Sequence, residues 1–303
     1  MKRREFISKT AAASSLIGLG GLSMSSMPLN TKKHITILHT NDVHSHIEPF
    51  SINDPQFANQ GGVARRLTLI NQVRSENPNT LLLDAGDIFQ GTPYFNFYGG
   101  ELEFKLMSML KYDAATLGNH DFDNGINGLY KQLPHADFQL LTANYDFSNT
   151  VMDGHTKPYA VFIKDGVRIG VFGLGIQLNG LVNKHMFKET KYLDPVEIAT
   201  DISATLRTKE HCDLVICLSH LGYDYSNKEI ISDLILAKKT AGIDLIIGGH
   251  THTFLDKPTI VQNNKEAFVL VNQVGWGGIN LGRIDFYLDE RKNVTSNAIV
   301  MEV

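Results

Sequence analysis

Ile35-Thr36-Ile37-Leu38-His39-Thr40-Asn41-Asp42-Val43-His44 decides the fold, because a β-rich apolar run passes without a break into ionisable side chains. The same construction recurs four times. Leu81-Leu82-Leu83 leads into Asp84-Ala85-Gly86-Asp87, and Ala114–Leu117 into Gly118-Asn119-His120-Asp121-Phe122-Asp123. Leu214–Leu218 leads into Ser219-His220, and Asp244–Ile247 into Gly248-Gly249-His250-Thr251-His252. Segments of helical spacing separate these runs. The clearest is 61–76, where Val63, Leu67, Ile70 and Val73 share one face and Pro78 follows the end. Others span 101–111, 195–209 (opened by Asp194-Pro195) and 228–240. Further strands are predicted at 138–143 and 167–174. After residue 258 only β runs remain, at 267–272, 279–287 and 297–302, which predicts a second sheet or an antiparallel extension. The β-α-β alternation with uninterrupted apolar strands predicts an α/β layered domain whose strands are buried on both faces.

Open α/β sheets bind ligands outside the carboxyl ends of their strands. Each of the five junctions delivers Asp, Asn or His there. Carboxylate, amide oxygen and imidazole without thiolate suit a divalent ion of the zinc, manganese or iron type. Asp42 and His44 are two residues apart, as are His250 and His252, so an extended segment would aim each pair to one side. With Asp87, Asn119 and His220 they make seven donors. That is too many for one tetrahedral ion and enough for two ions that share a carboxylate. The remaining histidines read differently. His39 is expected to pack within its strand; His46 continues the face of Asp42 and His44 and is a secondary candidate to stand behind them. His34, His135, His155, His185 and His211 are expected at the surface, and Asp84 reads as structural. Gly275–Gly282 lacks the spacing of a dinucleotide loop and leads into a strand, so it predicts a turn with no helix N-terminus to hold phosphate.

The chain has 303 residues, of which 43% are hydrophobic and 20% charged, a globular composition rather than a disordered one. It contains no unbroken 18-residue apolar run, so no integral membrane span is expected. A formal charge of −4 argues against a nucleic-acid polymer as partner. Lys2, Arg3, Arg4 and Lys9 against Glu5 give the first 31 residues +3, which leaves −7 for the rest. Arg3-Arg4-Glu5-Phe6-Ile7-Ser8-Lys9, followed by small and apolar residues, resembles a twin-arginine export signal. The expected organisation is therefore a signal segment over 1–31, a single domain over 32–303, and a periplasmic or otherwise exported location. Cys212 and Cys217 are too few for a disulfide framework. Their odd spacing predicts opposite faces of a strand and no bond between them.

Asp42-x-His44, Gly86-Asp87, Gly118-Asn119-His120-Asp121, His220 and Gly249-His250-x-His252 together resemble the calcineurin-like metallophosphoesterases. Thr40-Asn41-Asp42, Phe122-Asp123, Thr142-Ala143-Asn144 and Thr251-His252 resemble their 5′-nucleotidase and UDP-sugar hydrolase branch. The resemblance runs from about residue 34 to about residue 288. It implies a four-layer α/β/β/α sandwich of two mixed sheets flanked by helices. It implies that Asp42, His44 and His252 bind one ion, that Asn119, His220 and His250 bind the other, and that Asp87 bridges both. His120 would act at the substrate phosphoryl, oriented by Asp123, and Asp121 would not touch metal. The implied activity is hydrolysis of phosphomonoesters, foremost nucleoside 5′-monophosphates, by in-line attack of hydroxide generated between the ions. Related chemistries within the resemblance are cyclic-nucleotide phosphodiester hydrolysis, UDP-sugar pyrophosphate hydrolysis and thiosulfohydrolysis. Exported nucleotidases of this branch also carry a C-terminal domain that holds the base. With Val303 as the last residue, the resemblance implies either a separate chain that supplies that domain, with this one as its catalytic-fold subunit, or a less selective phosphatase.

Overall fold

The computed structural model describes residues 32–291 and 293–303. The signal segment expected over 1–31 lies outside the described residues. The strands in chain order are β1 (Lys33–Thr40), β2 (Thr80–Asp84), β3 (Ala114–Ala115), β4 (Gln139–Leu140), β5 (Tyr145–Asp146), β6 (Tyr159–Lys164) and β7 (Val167–Leu174). They continue as β8 (Lys191–Tyr192), β9 (Leu214–Ser219), β10 (Leu245–Gly248), β11 (Thr259–Gln262), β12 (Phe268–Asn272), β13 (Asn280–Leu288) and β14 (Val294–Glu302). Two six-stranded sheets result, ordered β14-β13-β1-β2-β3-β4 and β11-β12-β10-β9-β7-β6, with β5 and β8 as a separate pair. Both sheets are mixed. β1, β2, β3 and β4 run parallel while β13 meets β1 antiparallel, and β7, β9, β10 and β12 run parallel while β6 and β11 are antiparallel edges.

Alternation along the central strands builds three apolar interfaces. Ile35, Ile37, Leu81 and Leu83 face inward and meet Ile169, Leu214, Ile216, Leu245 and Ile247 of the other sheet. The intervening residues face outward. Leu38 and Leu82 pack on Ile70, Val73 and Phe104 of the helices Val63–Glu76 and Glu101–Met109. On the far side Phe172, Val215, Cys217 and Ile246 pack on Ala199, Leu206 and Leu236 of the helices Pro195–Thr208 and Asp233–Lys239. These three interfaces are the seams of an α/β/β/α sandwich. Burial of each such Leu or Ile is worth about 1.5–3 kcal/mol.

Several expectations shift in detail. The helix expected over 228–240 begins at Asp233, where Ser232 caps it through Ile235 N. The β-only tail divides between the sheets, with β11 and β12 joining the second sheet and β13 and β14 returning to the first. Cys212 precedes β9, so strand alternation does not govern it, and both cysteines are free and packed in the same outer apolar layer. No helix among the described residues is long and apolar enough to cross a membrane.

Candidate metal centre

The loops that follow β1, β2, β3, β9 and β10 converge on one edge of the two sheets. Asp42, His44, Asp87, Asn119 and His220 arrive buried, while His250 and His252 stay half-exposed toward the open side. The backbone route differs from the expected extended pairs. Asp42, His44, Asp87, His250 and His252 have φ of 49°, 50°, 54°, 71° and 51°. Five of the seven therefore sit in left-handed conformation, which costs a residue with a Cβ on the order of 1–3 kcal/mol. Local propensity does not hold such a turn, so the surrounding contacts must. Asp42 O accepts from Gly277 N at 2.7 Å, and His44 N donates to Asp87 O at 3.0 Å.

The side chains form two triads. Asp42, His44 and His252 make one, and Asp87, His220 and His250 the other; in each, the candidate ligand atoms all lie within 4.8 Å of one another. Asp87 reaches both, with Oδ2 3.1 Å from His220 Nε2 and 3.7 Å from His44 Nε2. Asp42 Oδ1 lies 3.5 Å from His252 Nε2 and 3.9 Å from His220 Nε2. Asn119 joins the second triad through Oδ1, 2.8 Å from His250 Nδ1.

The chemistry of these atoms fits cations. His220 Nδ1 lies 2.7 Å from the carbonyl of Ala85, which can only accept, so Nδ1 carries a proton and Nε2 is the nitrogen left to take a second proton or a metal cation. That buried Nε2 has no hydrogen-bond partner among the described residues and faces a carboxylate oxygen. His44 repeats the arrangement, with Nδ1 on Phe89 O at 3.2 Å and Nε2 3.0 Å from His252 Nε2. Lone pairs and carboxylates gathered this closely repel unless positive charge stands among them. Burial lowers the proton affinity of His220, yet Asp87 and Asp42 outweigh it and hold the imidazole up to about 10, a measure of the cation these carboxylates demand. Burial and the His220 charge push His250 down to about 4, and burial pushes His44 down, which keeps both neutral and able to ligate.

Two glycines allow the close approach. A Cβ on Gly86 (φ +89°) would stand 2.6 Å from Gly118 N and 2.9 Å from His220 Nδ1, and one on Gly118 would overlap the Asp87 carboxylate. Asp121 ties the same two loops. Its carboxylate accepts from Asp87 N (3.0 Å), Ile88 N (2.9 Å), Phe89 N (3.1 Å) and Gly118 N (2.8 Å). It touches no other candidate ligand's side chain through those bonds, so its part is to hold Asp87 in place. Asp121→Ala strands four buried N–H groups at about 1–3 kcal/mol each before relaxation. We expect a loss of at least ~3 kcal/mol in urea unfolding, in a chain whose helices and sheets are otherwise intact by circular dichroism.

Asn41 was not legible as a site residue. Its amide donates to Asp42 Oδ2 and to Gly275 O, both at 2.6 Å, and accepts from Val274 N at 3.0 Å, which joins the first triad to the glycine turn. Asp84 is structural as expected, accepting from Thr40 Oγ1 at 2.6 Å and Gly86 N at 2.9 Å. His39 is buried within β1. His46 stacks its ring on Phe50 at 4.4 Å and meets Trp276 edge-on at 5.3 Å.

His120 is a member of neither triad, although its ring meets that of His44 edge-on at 5.3 Å. Its backbone N donates to Asp87 Oδ1 at 2.8 Å, and its Nδ1 lies 2.8 Å from Asp123 Oδ2. The side chain is 38% exposed, so Nε2 remains open to a ligand. The hydrogen bond to Asp123 raises its pKa, against the lowering effect of burial.

Two mixed sheets that present a carboxylate-linked pair of cation-seeking triads along one edge define a metal-dependent hydrolase. Residues 35–254 match the calcineurin-like phosphoesterase family, more than half of the chain, and the protein belongs to that family. It is 34% identical over 291 residues to the trifunctional nucleotide phosphoesterase protein YfkN of Bacillus subtilis, covering 85% of this chain and 18% of that protein. It is 33% identical over 318 residues to the 5′-nucleotidase of Homo sapiens, covering 95% and 52%. Among solved structures, a 5′-nucleotidase precursor from Thermus thermophilus aligns with a TM-score of 0.81 at 34% identity, over 89% of this chain and 55% of that one. The phosphoesterase YfkN structure aligns with a TM-score of 0.74 at 28% identity, over 89% and 91%. The chain spans about half the length, or less, of the curated relatives it matches.

Proposed function

We propose that the chain is a phosphomonoesterase that uses two divalent ions and acts on nucleoside 5′-monophosphates. The observation that carries the reading is the pair of triads sharing Asp87, with lone pairs directed inward. Asp42, His44 and His252 would hold one ion, and Asn119, His220 and His250 the other. Zinc, manganese or iron ions, when bound, supply Lewis-acid polarisation of the phosphoryl group and a supply of hydroxide near neutral pH. Asp42 and Asp87 are the only carboxylates in the proposed donor set, so these residues would offset only two of the charges of two divalent ions and leave the site attractive to a phosphate dianion. Attack by water forms one P–O bond as the bond to the ribose oxygen breaks. His120, held at Nδ1 by Asp123, delivers a proton from Nε2 to that leaving oxygen. The names of the relatives support a nucleotide substrate. The Arg3-Arg4 motif supports export through a twin-arginine route.

The test is metal dependence on p-nitrophenyl phosphate. Chelation is expected to abolish turnover and Mn²⁺ to restore it, whereas undiminished activity after complete metal removal rejects the reading. A panel of AMP, a cyclic nucleotide, UDP-glucose and a thiosulfate ester then separates the phosphomonoesterase from the related chemistries.

A further inference from the structure

His250 and His252 stand on one short loop yet belong to different triads, so the path of that loop sets the spacing between the two ion sites. Both residues are left-handed, at φ 71° and 51°. Backbone of that kind persists only where its surroundings over-determine it. The start of the loop is also crowded. A Cβ on Gly249 would stand 2.9 Å from His220 Nδ1 and 3.1 Å from Asp42 Oδ2. A shift at Gly249 therefore reaches a ligand of each triad.

What holds this loop is a side chain that belongs to neither triad. β12 pairs with β10 as far as Asn272 opposite Ile247. The next residue, Gln273, is fully buried, and its side chain continues the bonding where the backbone pairing stops. Its Nε2 donates to Gly249 O at 2.7 Å, just before His250. Its Oε1 accepts from Thr253 N at 3.0 Å, just after His252, and from Thr251 Oγ1 at 3.3 Å, between the two histidines. A carbonyl can only accept and a backbone N–H can only donate, so the amide has a single orientation. Nε2 also donates to Asp233 Oδ2 at 3.3 Å. Asp233 Oδ1 in turn accepts at 2.5 Å from Ser219 Oγ, one residue before His220. One primary amide thus brackets both histidines and is anchored from behind to the strand that delivers a third ligand.

We propose that Gln273 is a positioning residue that couples the two ion sites, its amide latching the loop over 249–253 so that a ligand of each ion is set at once. The proposal rests on the two-ion reading above. A latch has a signature of its own. Its removal weakens both ions together, whereas loss of a ligand in one triad falls on one ion more than the other. A residue that only stabilises the fold lowers the melting temperature and leaves ion affinity alone.

The full chain, freed of metal with a chelator, is titrated with Co²⁺, followed by visible absorption and calorimetry. The parent is expected to bind two ions. Gln273→Met keeps the length of the side chain and removes its bonds. It is expected to weaken both binding steps about tenfold or more, with the circular dichroism of the parent. Gln273→Asn, one methylene too short to bracket the loop, gives the same reading should Gln273→Met fold poorly. Asp233→Asn still offers an acceptor to Gln273 and a donor to Ser219, and is expected to bind both ions as the parent does. Unaltered Co²⁺ affinity in both Gln273 variants, or a loss confined to one ion, overturns the latch and leaves the two-ion reading in place. A loss in Asp233→Asn equal to that in Gln273→Met also overturns it, because the buried carboxyl and not the amide would then govern the loop. A parent that binds fewer than two ions fails the two-ion reading instead, and the coupling falls with it.

Discussion

Asp87→Asn is expected to reduce bound metal from two ions to one or fewer per chain and to lower kcat/KM by well over 100-fold. The substitution is nearly isosteric, and an amide oxygen at Oδ1 still accepts from His120 N, which the carboxylate now does at 2.8 Å. What changes is charge at Oδ2, the atom 3.1 Å from His220 Nε2 and 3.7 Å from His44 Nε2. Asp42 also lies near both triads, but its approach to His220 is longer, at 3.9 Å, so the closest link between the two is Asp87, which lies 1% exposed. Loss of a hydrogen bond behind a metal ligand already costs 10–100-fold in affinity or activity, so loss of a ligand shared by two ions exceeds that range. Metal analysis by mass spectrometry on the purified variant checks the first outcome and steady-state kinetics the second. Two tightly held ions in Asp87→Asn would remove the shared carboxylate from the design. Asp42→Asn is the comparison, because its Oδ1 lies closer to His252, at 3.5 Å, than to His220, at 3.9 Å. It should weaken one ion more than the other.

The outline of this site was open to reading because of where the side chains fall. A strand that ends in Asp, Asn or His is unremarkable once, but five such ends leave little for them to do except meet. The sandwich was open for the same kind of reason. Leu81-Leu82-Leu83 and Leu214–Leu218 are apolar at every position, so both faces of each strand need cover. Other features were hidden by the way sequence maps to space. The left-handed backbone at Asp42, His44, Asp87, His250 and His252 is imposed by bonds from distant loops, such as Gly277 N to Asp42 O, and nothing in the residues themselves announces it. Asp121 looks like a surplus acid in Gly118-Asn119-His120-Asp121, and only the fold shows four amides aimed at it. β6 escaped notice because it is an edge strand with most of its residues half-exposed, so Tyr159–Lys164 lacks a strong apolar signature. An aromatic row joins Phe57, Phe254 and Trp276 across some two hundred residues, a separation at which no periodicity operates.

His120→Ala is expected to give the opposite pattern to Asp87→Asn, with both ions retained and kcat reduced by about 10²–10⁴. His120 bonds to Asp87 through its backbone N–H, which survives the substitution, and its ring only meets that of His44 edge-on at 5.3 Å. Its ring contributes no atom to either triad. The ring instead pairs with Asp123 across 2.8 Å and keeps one nitrogen free, the arrangement of a general acid whose tautomer is set by a carboxylate. Asp123 also raises the proton affinity of the ring, so Asp123→Asn should produce a smaller loss of kcat than His120→Ala while leaving metal content unchanged. Rate should depend on the leaving group as well. Esters whose alcohol departs readily as an anion need little protonation, so p-nitrophenyl phosphate should suffer less from His120→Ala than AMP does. A variant that loses its ions, or one in which both substrates decline equally, would place His120 among the ligands or in substrate positioning instead. The contrast between the two substitutions matters because they touch opposite ends of a single hydrogen bond, Asp87 Oδ1 to His120 N. One end is required to hold the ions and the other to use them.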